Sequence, residues 1–151
     1  MSLLPIHVLA KPEGPICNLD CKYCFYLEKE LLYPNTFQWA MPLDVLESFI
    51  AQYIEQQSTE EIFFAWQGDE PTLQGIDFFR EIVVLQSKHA NGKRVHNTFQ
   101  NSRPMAFCSM IPGGEFLAEN QFLVGVSIGG PENVHDAYPV NSNFAVSKPW
   151  R

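Results

Sequence analysis

The chain has 151 residues, 46% of them hydrophobic and 13% aromatic, which is enough for one domain with its own core and excludes a disordered tail. A formal charge of −7, with no basic stripe, excludes non-specific nucleic-acid binding, because phosphate contacts need clustered Lys and Arg. No apolar stretch reaches the ~20 residues of a membrane span and "MSLLPIHVLAKPEG" lacks the marks of a signal peptide, so a cytosolic setting without membrane contact is expected, where four cysteines favour metal binding or catalysis over disulfides.

In chain order, "IHVLAK" (6–11) is a short apolar run halted by Pro12 and Gly14 and predicts a buried strand opening into a loop. That loop carries "CNLDCKYC" (17–24). "MPLDVLESFIAQYIEQQ" (41–57) spaces Leu43, Leu46, Phe49, Ile50, Tyr53 and Ile54 as one face of a helix, with Pro42 near its first turn. "EIFFAWQG" (61–68) predicts a strand closed by "GDEPT". "IDFFREIVVLQSKHAN" (76–91) predicts a helix stopped at Asn91-Gly92. "KRVHNTFQ" (93–100) and "FLVGVSIGGP" (122–131) predict two further strands, with "EFLAEN" (115–120) helical before the last. Alternating strands and helices imply an α/β fold with about four parallel strands, whose ligands gather at the strands' C-terminal ends. The cysteines, "GDEP" and "SIGGP" all fall at such ends.

Three thiols within eight residues are one short of a closed structural zinc site, and Cys108, far downstream, has no nearby partner in the sequence. Clustered thiolates equally suit an iron–sulfur cluster, which normally takes four cysteines. Three would leave one iron open to a substrate or cofactor. Zinc, which would need a fourth ligand, and incidental thiols are the alternatives.

"CNLDCKYCFYLEK", followed by "AWQGDEPTL" and "FLVGVSIGGPENVHDAY", resembles the radical S-adenosylmethionine family, and within it the anaerobic sulfatase-maturating enzymes. The resemblance implies the N-terminal part of a partial (β/α)6 barrel. It implies that Cys17, Cys21 and Cys24 ligate three irons of a [4Fe–4S] cluster while S-adenosylmethionine chelates the fourth. One-electron cleavage would then release methionine and a 5′-deoxyadenosyl radical that abstracts a substrate hydrogen. The family's Gly-Gly-Glu-Pro reads Gly68-Asp69-Glu70-Pro71 here and would receive the cofactor's amino group, with Gln67 facing the same pocket. Ser127 would meet the cofactor carboxylate, although the family's following Asp is Gly129. Tyr23, with Phe25 and Tyr26, would line the adenine side. Partners implied are a protein or peptide substrate, possibly a sulfatase whose Cys or Ser becomes formylglycine, and an electron donor such as ferredoxin or flavodoxin.

Two stretches depart from that family. "NSRPMAFCSMIPGG" has no helical period where the family continues Thr-Asn-Gly-x-Leu. One nucleotide out of register, codons for this stretch permit Gln-Thr-Asn-Gly, with Gly forced across Met105-Ala106, Leu across Phe107-Cys108 and Asp across Met110-Ile111. Translation out of frame between compensating shifts is therefore expected, and a gene whose alternative frame does not spell Thr-Asn-Gly contradicts it. Second, family members continue beyond this length with more barrel strands and a cysteine-rich C-terminal domain, so residues 1–151 are expected to be a truncated core domain that binds a cluster with weak or no turnover. The competing classes are an inactive remnant, a small iron–sulfur electron-transfer protein and a zinc-stabilised interaction module. The four histidines form no spaced pair and are expected at the surface or satisfied in the core.

Overall fold

A computed structural model describes residues 4–17, 29–33, 35, 39–68, 71–101 and 114–126. Four parallel strands, β1 (Leu9–Ala10), β2 (Glu61–Trp66), β3 (Arg94–Asn101) and β4 (Phe122–Val126), form one sheet in sequential order. Helices α1 (Leu43–Gln56), α2 (Ile76–His89) and α3 (Gly114–Glu119) lie between them in the chain. Short 3₁₀ turns occupy Lys29–Leu32 and Pro71–Gln74. The expected α/β alternation is thus observed, and the parallel register runs without a break from Leu9 beside Ala65 to Asn101 beside Val126.

The strands bury one face against the helices. Along β2, Ile62, Phe64 and Trp66 are buried while Glu61 and Phe63 are exposed, the period-two signature of a sheet covered on one side. Leu46, Ile50, Tyr53 and Ile54 of α1 and Phe78, Phe79, Ile82 and Leu85 of α2 complete the core. Ring packing organises it: Tyr53 meets Phe64 edge-on at 4.9 Å, Phe64 stacks on Trp66 at 5.7 Å, and Phe79 joins Phe99 and Phe122. Inside this apolar layer Trp66 Nε1 donates to Asn97 Oδ1 at 2.9 Å, and Asn97 and Gln86 exchange two amide hydrogen bonds at 2.8 Å. Every polar atom brought into that layer by the triad is answered, as burial requires.

The N-terminal edge of the sheet differs from the strand expected over 6–11. Only Leu9 and Ala10 pair with β2, because the Ile6 carbonyl is drawn to α1 by Tyr53 Oη at 3.0 Å and Gln57 Nε2 at 2.9 Å. Leu9 is half exposed rather than buried, as suits an edge strand. Pro42 also stands one residue outside α1, as its N-cap with extended φ and ψ, and its carbonyl accepts the Leu46 N–H. Leu43, expected on the apolar face, is consequently exposed. The stop after α2 is as expected, with Asn91 and Gly92 both at positive φ. Lys93 Nζ then caps the carbonyls of Ile54 and Gln57 at the end of α1.

Among the described residues no helix is long and apolar enough to cross a membrane. The histidine expectation fails at one position. His96 stacks on Phe63 at 4.8 Å, and its buried Nε2 has no hydrogen-bond partner among the described residues. His89 does find one, Glu47 at 3.3 Å.

Candidate functional site

At the C-terminal end of β1 the chain turns at once. Gly14 N–H returns to the Lys11 carbonyl at 3.1 Å and Ile16 N–H to that of Glu13 at 3.2 Å, and Cys17 follows, half-buried. Gly14 is required twice over: its φ is +57°, and a Cβ there would lie 2.9 Å from Cε3 of Trp39. Pro12 is fully buried beneath this turn. Its carbonyl accepts the Met41 N–H at 2.8 Å, which ties together the two ends of the segment that bears the cysteines.

The neighbouring strand β2 ends against the same turn. Gln67 N–H donates to the Ala10 carbonyl at 2.8 Å, extending the ladder one residue beyond the strand. Gly68 follows at φ +144°, where a side chain is strained, and a Cβ there would stand 3.4 Å from the Gly14 carbonyl oxygen and 3.9 Å from Cβ of Lys11. Backbone therefore packs on backbone where the cysteine loop and the "GDEP" loop meet. The 3₁₀ turn that completes the second loop sends Gln74 Nε2 to the Pro12 carbonyl at 2.7 Å, and Gly75, at φ +80°, starts α2. On the sheet face away from the helices, Gln67 borders a cavity of about 180 Å³ with Leu9, Ala65, Thr98, Leu123 and Gly125. Its walls are mainly apolar and close to the strand ends.

Electrostatics at this end run against charge. Glu13 is buried in the turn, and desolvation raises its carboxyl above the ordinary value. On the other side of the turn a cavity of about 320 Å³ is lined by Lys11, Pro15, Lys29, Leu32, Tyr33 and Trp39, the last two in edge-to-face contact at 5.6 Å.

Of the residues picked from sequence, Gln67 and Gly68 pack against Ala10 and the Lys11–Gly14 turn, and Cys17 follows that turn in the chain. Cys21, Tyr23, Cys24, Phe25, Tyr26, Asp69, Glu70, Cys108 and Ser127 lie outside the described residues. Among the described residues there is no group of three or more His, Cys, Asp or Glu able to hold a metal ion. Sequence reading missed Glu13, Trp39 and Gln74. The Pro-Glu-Gly-Pro run marks a turn around Glu13, but nothing local distinguishes Gln74 from any surface glutamine.

No family model matches the chain. It is 39% identical over 137 residues to the serine-type anaerobic sulfatase-maturating enzyme of Bacteroides thetaiotaomicron, covering 91% of this chain and 32% of that one. It is 35% identical over 133 residues to the cysteine-type anaerobic sulfatase-maturating enzyme of Clostridium perfringens, covering 87% and 35%. Among solved structures it superposes with a TM-score of 0.72 and 33% identity on native anSMEcpe with bound AdoMet and Cp18Cys peptide, covering 89% of this chain and 34% of that one. The same protein with bound AdoMet alone gives 0.71 at 34% identity. The chain thus spans about a third of the length of these relatives. The resemblance to anaerobic sulfatase-maturating enzymes extends over nearly the whole chain, in fold as in sequence.

Proposed function

We propose that this chain is the cluster-binding, N-terminal portion of a radical S-adenosylmethionine oxidoreductase that converts a Cys or Ser of a sulfatase, or of a related peptide, to formylglycine. One observation carries the reading: the turn leading to Cys17 and the glycine that opens "GDEP" are packed backbone to backbone at the C-terminal ends of adjacent parallel strands. The relatives' names, and the AdoMet and peptide in anSMEcpe, support it.

The donor chemistry at this end suits such a group. Cys17, with Cys21 and Cys24, would hold a [4Fe–4S] cluster as thiolates. Gly68, lacking a Cβ, lets the "GDEP" loop come close to the Gly14 carbonyl and so brings the two loops together. Asp69 and Glu70 would accept hydrogen bonds from the cofactor's amino group, Ser127 would meet its carboxylate, and Tyr23 would face its adenine. When bound, cluster and S-adenosylmethionine supply one-electron cleavage to a 5′-deoxyadenosyl radical and hence hydrogen abstraction. The residues of this chain bind, orient and exclude water. Gln67 lines a mainly apolar cavity beside the strand ends. The setting would be the cytoplasm, with ferredoxin or flavodoxin as electron donor.

Anaerobic loading of the chain with iron and sulfide tests this. The expected product is brown, gives an electron paramagnetic resonance signal on reduction that shifts when S-adenosylmethionine is added, and yields 5′-deoxyadenosine. A colourless chain holding about one zinc would overturn it. A cluster whose spectrum ignores S-adenosylmethionine would replace it with an electron-transfer protein.

A further inference from the structure

We propose that Gln74 is a positioning residue for the cysteine loop, holding the root of that loop in register with the "GDEP" loop through the Pro12 carbonyl. The inference rests on the functional reading above. Pro12 O accepts two donors, Met41 N–H at 2.8 Å and Gln74 Nε2 at 2.7 Å, which occupies both lone pairs of a carbonyl whose residue is fully buried. The two donors come from different segments. Met41 is where the excursion of residues 13–40 rejoins the fold, and Gln74 ends the turn that directly follows Gly68-Asp69-Glu70-Pro71. One oxygen therefore sets the offset between the loop that begins with Cys17 and the loop that begins with Gly68.

The residue type matters. Its contact is a carbonyl, so only the amide nitrogen can face it, and the side chain's orientation is fixed. A carboxylate of the same length would set oxygen against oxygen. Other contacts between the two loops include Gln67 N–H on the Ala10 carbonyl and the approach of Gly68 to Gly14 and Lys11. The Gln74 contact acts through a side chain, and so can be altered without disturbing the ladder. Half-sites borne on separate loops need sub-ångström agreement to bind one ligand, and a second layer of hydrogen bonds supplies it.

The test compares the 151-residue wild type with Gln74→Ala and Gln74→Lys, the latter keeping an N–H donor. Two readouts are needed: amide hydrogen exchange at Gly14, Ile16 and Met41 in the cluster-free protein, and titration of the S-adenosylmethionine-induced spectral shift in the loaded protein. In Gln74→Ala, exchange at those amides should rise about three- to tenfold, the loss of one neutral hydrogen bond, while amides of α1 and β3 stay as in wild type. Half-saturation by S-adenosylmethionine should move upward by a similar factor, and Gln74→Lys should restore both. Unchanged exchange at the three amides, or an equal rise throughout the chain, overturns the proposal. A wild type that takes up no cluster overturns the functional reading and the cofactor half of this one, while the exchange data still decide the Pro12–Gln74 tie.

Discussion

The helix layer and the rim where the strands end treat polar groups in opposite ways. Beneath the helices, Trp66, Asn97 and Gln86 satisfy one another inside an apolar shell. On the outer surface of the same layer, Glu47 is held below the ordinary carboxylate range by hydrogen bonds and charge from Lys88 and then His89. At the rim, a buried Glu13 is pushed the other way by desolvation, and Gly14 and Gly68 adopt conformations that a side chain would strain. Stability is concentrated in the layer, and the rim carries the compromises that a binding site demands.

The comparison breaks most visibly at Trp66. Trp66→Ala empties the centre of the ring cluster and leaves Asn97 without its indole donor, so chemical denaturation should show a loss of about 3–5 kcal/mol. A loss below about 1 kcal/mol would show the layer to be looser than its packing implies. Next comes Gly14→Ala, which meets both a positive φ and the Trp39 ring. Gly92→Ala is its control, having a positive φ of 80° but nothing within 4 Å of the added methyl. The control should cost roughly 1 kcal/mol and Gly14→Ala about 1–2 kcal/mol more, the difference measuring the steric fit at the rim.

The smallest effects separate the two carboxylates by sign. A folded-state value above the unfolded one means that Glu13 destabilises the fold once ionised, and that this penalty disappears as pH falls back through the raised value toward 4.5. Glu13→Gln should therefore melt higher than wild type at pH 7, with the gap closing on acidification. For Glu47 the folded value is depressed, so its contribution is present above 4.5 and lost as pH falls through the lowered value. Glu47→Gln should melt slightly lower at pH 7, and salt should erase the difference because the pair is exposed. Paired melting curves across pH, with both variants moving in the same direction, would contradict the division between layer and rim.

Elements with strong periodicity were legible. The helical spacing of Leu46, Phe49, Ile50, Tyr53 and Ile54 placed α1 within a residue or two, and "EIFFAW" placed β2. β1 was overread, because its apolar residues suggested a full strand and only tertiary hydrogen bonds to Ile6 from Tyr53 and Gln57 shorten it. At the site, Cys17 and Gly68 stood out by residue type and position after a strand. Gly68 itself bears a positive φ, and Asp69 lies outside the described residues. Glu13 and Gln74 could not be found from local pattern, since burial and a partner 62 residues away decide their roles. His96 was misjudged for a related reason: no sequence signal tells a stacked imidazole that lacks a partner among the described residues from a satisfied one.

The pinch at Pro12 has a consequence in polymer terms. Because Met41 N–H closes on the Pro12 carbonyl, the two ends of residues 13–40 are tied together and the segment forms a closed ring of chain. Doubling such a ring costs about 0.6 kcal/mol, less than a single well-made hydrogen bond. Added length between the tied ends is therefore cheap for the scaffold, whereas the turn around Gly14, which meets both Trp39 and Gly68, is not free to change.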